Sequence, residues 1–197
     1  MKLSITPLVA FLALSVISTD AFSQDSVKIK EKALFFADSL IRADTYENWS
    51  VYADLAPARV LKYYGGKDGF IEHVKGMHPR TVSALGGEDA PEIKIMTLMA
   101  QDDQWQCLIR ESRYIHHDDN KKYHIVTYLL CQTRDDGETW RLFDLSYNRV
   151  ANIIYMMPDV IRDMAIPEPY IISEEEELAK QQAAAPPAAK KAAPKKK

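Results

Sequence analysis

Cysteine is scarce in this chain of 197 residues, which contains only two. Two cysteines are too few for a disulfide-stapled miniprotein or a four-cysteine zinc site. An excess of basic charge is also missing, since 25 Lys and Arg stand against 28 Asp and Glu, giving a net charge of −3. This balance argues against a nucleic-acid binder that relies on bulk charge. No Gly-x-Ser-x-Gly, P-loop or dinucleotide-binding motif occurs.

Long apolar runs are missing beyond the N-terminus, so no membrane span is predicted in the body of the chain. The N-terminus has the layout of a secretory signal peptide, with a basic Met1-Lys2 start, an apolar stretch over 3–18 and small residues before Gln24. We expect residues 1–23 to be cleaved, which predicts a periplasmic or secreted protein; an uncleaved anchor is the alternative. Export would place both cysteines in an oxidising compartment.

The C-terminal residues have a composition that opposes folding. Four glutamates follow Ser173, and residues 181–197 contain only Gln, Ala, Pro and Lys. Because such a segment has almost nothing to bury, 173–197 is predicted to be a disordered tail. Its lysines are compatible with a solvated tail or with a weak electrostatic tether to an anionic envelope surface. Removing both ends leaves a single predicted domain over 25–172.

This domain is helical in its first half and rich in strands in its second. Apolar residues from Ile29 to Ile41 recur at helical spacing, and from Ile93 the apolar period changes to two. Shorter helices are predicted over 45–55, 57–64 and 68–78. The pattern predicts an α+β domain in which N-terminal helices pack on a curved, four-stranded antiparallel sheet. A short helical segment over 149–165 is predicted to close one end.

The two cysteines define the predicted register of the central hairpin. Cys107 and Cys131 are equidistant from Asp119 in the predicted turn, so they face each other across neighbouring strands. Directly opposed residues have Cα atoms about 4.5–5.5 Å apart, which is within disulfide reach. We predict a structural disulfide, with two free buried thiols as the alternative. A catalytic or metal-binding pair is not favoured, because there is no Cys-x-x-Cys motif.

The same register divides the sheet into a face covered by helices and an outer face. The covered face is predicted to be the more apolar one. Four polar side chains are nevertheless predicted on it: Glu111, Arg113, Thr127 and Arg141. The opposite face is predicted to carry Tyr114, Tyr128, Trp140 and Asp144. A slip of one residue would exchange the two sets.

Several short motifs occur in a specific order between residues 45 and 170. They are Tyr52-Ala-Asp-Leu-Ala-Pro57, Tyr64-Gly-Gly-Lys67, Trp140-Arg-Leu-Phe-Asp144, Met157-Pro158 and Ile166-Pro167. Their order resembles the nuclear transport factor 2-like superfamily, the cystatin-like cones, and in particular its small exported bacterial members. The resemblance implies a curved sheet wrapped around a long helix, with a conical cavity between them. That cavity hosts isomerases, dehydratases, hydrolases and pure binding modules, so the fold does not give the activity.

An isomerase-like member of this fold needs a carboxylate base in the cavity, opposite a tyrosine or acid that stabilises an enolate. Glu111 is the candidate base and Tyr52 the candidate hydrogen-bond donor. Arg113 lies two residues from Glu111, and a nearby cation weakens a carboxylate as a base. An internal Glu111–Arg113 ion pair is therefore the alternative. Trp49 completes the predicted ligand-binding set, with Tyr52, Glu111, Arg113, Thr127 and Arg141.

No cofactor and no metal site is predicted. His116-His117-Asp118-Asp119 is the densest group of potential ligands. Neighbouring residues on a strand point to opposite faces, so we interpret this group as a solvated hairpin tip.

We expect an exported, non-enzymatic binding domain of the bacterial cell envelope, because the sequence lacks a catalytic constellation. A cone cavity or the aromatic sheet face would bind a small molecule or an envelope protein, and a homodimer through the sheet face is left open. One alternative is a small cavity enzyme that acts by proton transfer, like an isomerase or dehydratase. The other is a structural subunit of an envelope assembly.

Overall fold

The structure is a computed structural model that describes residues 18–78, 90–101, 103–116 and 121–184. Four helices lead the chain: α1 (Ser18–Thr45), α2 (Trp49–Leu55), α3 (Ala58–Tyr63) and α4 (Lys67–Met77). Four strands follow: β1 (Glu92–Gln101), β2 (Gln104–His116), β3 (Lys122–Thr133) and β4 (Arg141–Asp144). The chain then forms a 3-10 turn (Val150–Asn152), α5 (Ile153–Met156), β5 (Tyr170–Ser173) and α6 (Glu174–Ala184). The predicted α+β class is confirmed.

Helix α1 packs on the domain through one stripe of small and apolar residues. Ala33, Ala37 and Leu40 are buried at helical spacing, and Asp44 continues the same stripe. The next helix starts where the side chain of Asn48 accepts a 3.4 Å hydrogen bond from the backbone N–H of Val51. Helix α1 contacts β1, β2 and β4, α2 packs on α1, and α4 packs on α2.

The sheet has five antiparallel strands rather than the predicted four. β1, β2 and β3 are neighbours in that order, and the far edge of β3 is shared by two short strands. β4 pairs with residues 129–132 of β3, whereas β5 pairs with residues 123–126. The additional strand comes from 170–173, a segment in which the sequence analysis predicted no strand.

The predicted register of the central hairpin is confirmed. Cys107 of β2 is the direct partner of Cys131 of β3. Both cysteines are free thiols and both are completely buried. Burial, together with the neighbouring Cys107, raises the pKa of the Cys131 thiol well above its ordinary value. The disulfide itself stays a prediction.

The predicted faces of β4 are wrong by one residue. Leu129 pairs with Asp144, and Cys131 pairs with Leu142. Asp144 therefore lies on the helix-covered face, while Arg141 lies on the opposite side. The predicted aromatic outer face is not formed either, because Trp140 is 0% exposed in the hydrophobic core.

The predicted faces of β4 rest on a three-residue turn at Asp135-Asp136-Gly137, whereas the loop is longer, because the pairing of β4 with β3 begins only at Gln132 and Arg141. Asp135 holds the loop together, since its carboxylate accepts hydrogen bonds from the Thr133 hydroxyl (2.6 Å) and from the Thr139 backbone N–H (2.9 Å). Asp136 and Gly137 both adopt positive φ, at 52° and 82°. One more residue in a hairpin loop reverses the face of every residue that follows.

The second face of the sheet is covered at the β4 end by the segment that follows α5. Gln106 anchors this segment, because its amide donates a 2.8 Å hydrogen bond to the carbonyl of Asp159 and accepts a 2.9 Å bond from the backbone N–H of Ile161. Met157 and Met164 are buried there. The helix predicted over 149–165 is reduced to the 3-10 turn and the four-residue α5.

The chain remains structured beyond the predicted start of the tail at Ser173. Helix α6 is held by its glutamates, since Glu177 lies 2.9 Å from Nδ1 of His124 and Glu174 lies 3.6 Å from Nζ of Lys122. The rest of the predicted tail, from 185 onward, lies outside the described residues. So does most of the predicted signal peptide, although α1 already begins at Ser18. None of the described helices is long and apolar enough to cross a membrane.

Candidate functional site

A cluster of polar side chains is buried between the helices and the sheet. Three carboxyl groups meet there, from Asp44 of α1, Glu111 of β2 and Asp144 of β4. Arg113 is the basic side chain of this cluster, and Tyr52 of α2 reaches it from the helical side. Each of these five residues is at most 8% exposed. We call them the interior cluster.

Asp144 is held in place by two donors. The hydroxyl of Tyr52 donates a 3.1 Å hydrogen bond to Oδ2, and the backbone N–H of Ser146 donates a 2.7 Å bond to Oδ1. Burial, and then the neighbouring carboxylates Asp44 and Glu111, raise the pKa of Asp144 to about 7. Burial also raises the pKa of Tyr52 well above its ordinary value. Near neutral pH, Asp144 can therefore both hold and release a proton.

Asp44 is the second carboxyl group with a shifted protonation equilibrium. It accepts a hydrogen bond from the hydroxyl of Tyr147, which comes shortly after β4. Burial raises the pKa of Asp44 to about 6, although the bond from Tyr147 and the charge of Arg113 act in the opposite direction. Two acidic groups in one buried cluster thus change charge between mildly acidic and neutral pH.

Glu111, the predicted base, is engaged by Arg113. The Nη2 atom of Arg113 donates to Oε1 of Glu111, and both side chains are buried. This is the internal ion pair that the sequence analysis gave as the alternative. The candidate donor Tyr52 bonds to Asp144 and not to Glu111. Arg113 also keeps its Nε buried without a hydrogen-bond partner among the described residues.

The remaining predicted binding residues fall in different places. Thr127 lies beside the interior cluster, with its hydroxyl 2.9 Å from that of Ser146. Trp49 packs edge-on against Tyr52, with 6.2 Å between the ring centroids. Arg141 does not join them, because the β4 register directs it to the other side of the sheet.

The sequence analysis missed two acidic residues of the interior cluster for different reasons. Asp44 continues the helical stripe of Ala33, Ala37 and Leu40, and extending that stripe by one turn would have identified it as buried. Asp144 was assigned to the outer face because of the β4 shift. No sequence signal would have revealed that shift, since it depends on side-chain hydrogen bonds inside the loop.

An open groove lies at the other end of the sheet. It has a volume of about 460 Å³ and runs between the start of α3, the β3–β4 hairpin and the residues that follow α5. Its lining combines buried apolar side chains with basic and acidic ones: Pro57, Arg59, Arg134, Arg141, Met156, Met157 and Asp159. We call this the arginine groove. Its volume is in the range of small-molecule sites.

The lining of the arginine groove carries three arginines against two aspartates. Arg134 contacts Asp159 at 2.9 Å, and Arg59 lies 3.9 Å from the same carboxylate. Arg141 donates to the carbonyl of Asp54. The other acidic residue of the lining, Asp135, accepts hydrogen bonds from Thr133 and Thr139, and because these lower its pKa to about 2 it keeps its negative charge. A guanidinium carries five N–H donors, so the three arginines retain donors for a ligand.

Among the described residues, no group of three or more His, Cys, Asp or Glu side chains is placed so that it could hold a metal ion. Most of the predicted hairpin tip, residues 116–119, lies outside the described residues, which stop at His116 and resume at Lys121.

Comparison with protein-family models, with curated proteins and with solved structures finds no match to this chain. The fold is α+β, and the resemblance to the nuclear transport factor 2-like superfamily stays a prediction.

Proposed function

We propose that the chain is an exported, non-enzymatic binding domain that holds a small molecule in the arginine groove. The main support for this proposal is the difference in accessibility between the interior cluster and the arginine groove. The side chains of the interior cluster are almost completely buried, whereas the groove is open and combines an apolar floor with three arginines. An open, partly apolar cavity with a few polar groups is the usual form of a binding site.

The lining indicates the chemistry of the ligand. Met156 and Met157 offer an adaptable apolar surface, and arginine pairs with carboxylate or phosphate through two parallel N–H donors. A ligand with one anionic group and an apolar body matches both features. Octanoate is a suitable probe of this class, with octanol as its uncharged analogue and inorganic phosphate as the anion alone.

Calorimetric titration tests this proposal. We expect octanoate to bind more tightly than octanol or phosphate, and Arg59→Gln to weaken its binding about tenfold through loss of a charge-assisted contact. Arg149→Gln is the matched control, because Arg149 is also exposed but is not part of the groove lining. Equal losses in the two variants, or no binding of any probe, would contradict the proposal.

Export is tested separately from ligand binding. Mass spectrometry of the chain produced in a bacterium with its own N-terminus should give a periplasmic species that begins at Gln24. A full-length chain that stays in the cytoplasm would remove the exported part of the proposal and leave the groove untouched.

The hydrogen bond between Tyr52 and Asp144 favours a second candidate function, proton transfer in the interior cluster. A carboxyl group with a pKa of about 7 is suited to act as base and acid in turn. In this case 3-cyclohexenone would be converted to 2-cyclohexenone, with Asp144 moving a proton from C2 to C4. Asp144→Asn would abolish the rise in ultraviolet absorbance and Arg59→Gln would not. Activity that survives in Asp144→Asn would eliminate this candidate.

A further inference from the structure

The solvent side of α1, together with the first residue after it, carries a row of exposed side chains. Phe35, Asp38, Arg42 and Tyr46 follow one another at intervals of three or four residues, on the side opposite the buried stripe. Phe35 is 66% exposed and Tyr46 is 75% exposed. Two large exposed aromatic rings at the ends of one row, Phe35 on the helix and Tyr46 just after it, are more characteristic of an interaction surface than of an ordinary solvated face.

A shallow groove lies beside this row. It has a volume of about 390 Å³ and is bounded by α1 and by the start of α2, with Ala43, Asn48 and Val51 in its lining. Val51 is a further exposed apolar side chain. The groove thus offers a place for a ring that projects from another molecule.

The charges in the row suggest what that molecule is. Asp38 and Arg42 are one helical turn apart, and neither has an ion-pair partner among the described residues. If a second α1 lies antiparallel across a two-fold axis level with residue 40, Asp38 of each copy faces Arg42 of the other. The same alignment brings Phe35 level with the Thr45–Tyr46 end of the second helix, next to the groove.

We infer that this face of α1 binds a second copy of the chain in an antiparallel, two-fold arrangement. A two-fold interface has to be complementary to itself, and the order aromatic, acidic, basic, aromatic along the row satisfies that condition. The sheet face expected from the sequence is a poorer choice, because Trp140 is buried and the segment after α5 covers the β4 end of the sheet.

The size of the interface indicates a weak dimer. An aromatic side chain buries about 150–250 Å², and because Phe35 and Tyr46 have 66% and 75% of theirs still exposed, the four rings of two copies supply roughly half of the 1,000 Å² that a specific interface needs. We therefore expect dissociation in the micromolar range, with a strong dependence on the two charge pairs.

Sedimentation equilibrium of the full mature chain between about 1 and 500 μM tests the inference. Asp38→Arg and Arg42→Asp alone should each weaken dimerisation at least tenfold, because each places two like-charged pairs in the interface. The double variant Asp38→Arg/Arg42→Asp should restore dimerisation to within about threefold of the unmodified chain. The control is the swap Glu72→Arg/Lys75→Glu on the exposed side of α4, which should change nothing.

Three outcomes would overturn the inference: a monomer at every concentration, a dimer insensitive to the single charge reversals, or a double variant as weak as the single ones. The four substituted positions are exposed, so circular dichroism should show an unchanged fold in all variants. The result does not depend on the arginine groove, because none of the substituted residues lines it.

Discussion

The hydroxyl of Tyr52 donates a 3.1 Å hydrogen bond to Oδ2 of Asp144, and this bond joins α2 to β4 inside the domain. Both residues are buried, and the carboxyl group lies close to Asp44 and Glu111. One of the hydrogen bonds between the helices and the sheet is therefore made by Asp144, whose carboxyl group changes charge near neutral pH. The stability of the domain is consequently tied to the protonation of the interior cluster.

The first prediction concerns pH and Asp144. Its pKa is raised from the ordinary 3.8 to about 7, so the folded chain holds this proton more tightly than the unfolded chain does. The contribution of Asp144 to the free energy of unfolding is fully present below pH 3.8, and it is lost as the pH rises from there through about 7. The whole loss is on the order of 4 kcal/mol, and about 3 kcal/mol of it falls above pH 5. Thermal unfolding should therefore occur about 6–12 °C lower at pH 8 than at pH 5.

Asp144→Asn should remove most of this pH dependence. Asparagine imitates the protonated carboxyl group, since its oxygen can accept from the N–H of Ser146 while its amide donates to the oxygen of Tyr52. We expect the fall in unfolding temperature between pH 5 and pH 8 to shrink by about two-thirds, because Asp44, whose pKa is about 6, still loses its proton in this range. Asp163→Asn, at an exposed carboxylate, should retain the full dependence. An Asp144→Asn variant that loses as much stability at pH 8 as the unmodified chain does would show that Asp144 is not responsible.

The second prediction concerns the buried arginine. Arg113→Met leaves the carboxyl groups of Glu111, Asp44 and Asp144 together without the basic side chain that the structure places among them. Removal of one member of a buried ion pair costs about 3–5 kcal/mol. The cost should be larger at pH 8, where Asp44 and Asp144 have lost their protons, than at pH 5, where both hold them. Arg149→Met is the exposed control, and an equal loss at both pH values would count against this electrostatic explanation.

The sequence was sufficient to predict the central hairpin. Two cysteines equidistant from Asp119 gave the register of β2 and β3, and the alternation of polar and apolar residues then placed Glu111 and Arg113 on the covered face. The spacing of the cysteines and the alternation of polar and apolar residues are both local properties of the two long strands β2 and β3. The assignment of β4 failed because its register depends on how Asp135 binds its neighbours across a loop, which alternation does not encode.

Strand β5 and helix α6 could not be predicted either, because they too depend on contacts with residues that are distant in the sequence. Tyr170–Ser173 is short and half-exposed, so its pattern alone does not identify a strand. It becomes one because the edge of β3 beyond β4 has free backbone donors and acceptors. Contacts such as that of His124 with Glu177 then hold α6, and they join residues far apart in the sequence.

The third prediction compares two glycines of α4. Gly69 lies against the backbone carbonyl of Tyr64, so a Cβ atom at this position would collide with it. Gly76 has open space around its Cα atom and a helical backbone. Gly76→Ala should therefore raise the free energy of unfolding by about 0.5–1 kcal/mol. Gly69→Ala should lower it by about 1–3 kcal/mol, because α3 and α4 have to separate.

Denaturant titration of the two glycine variants measures both effects. Both variants replace a glycine of α4 by alanine, so helix propensity changes equally in the two. They differ in that only the new methyl group at position 69 collides with a neighbour. A stabilised Gly69→Ala variant would show that the junction between Tyr64 and α4 is looser than the structure indicates.

The fourth prediction concerns the redox state of Cys107 and Cys131. Both thiols are completely buried, and burial raises the pKa of Cys131 well above its ordinary value, so almost no thiolate is present to react once the domain has folded. A disulfide between these opposed residues has to form while the hairpin is still accessible to an oxidant. We therefore expect the exported chain to contain the bond and the chain made in a reducing cytosol to keep two thiols.

Thiol titration of both preparations in denaturant distinguishes these states. The exported chain should show no free thiol until it is reduced, and it should be more stable than the reduced chain by about 3 kcal/mol, as expected for a loop of roughly 25 residues. The reduced, folded chain should resist alkylation until denaturant is added, because neither sulfur is accessible. Two titratable thiols per exported chain would instead establish the alternative that was left open for this pair, in which the opposed cysteines act as small apolar side chains of the core.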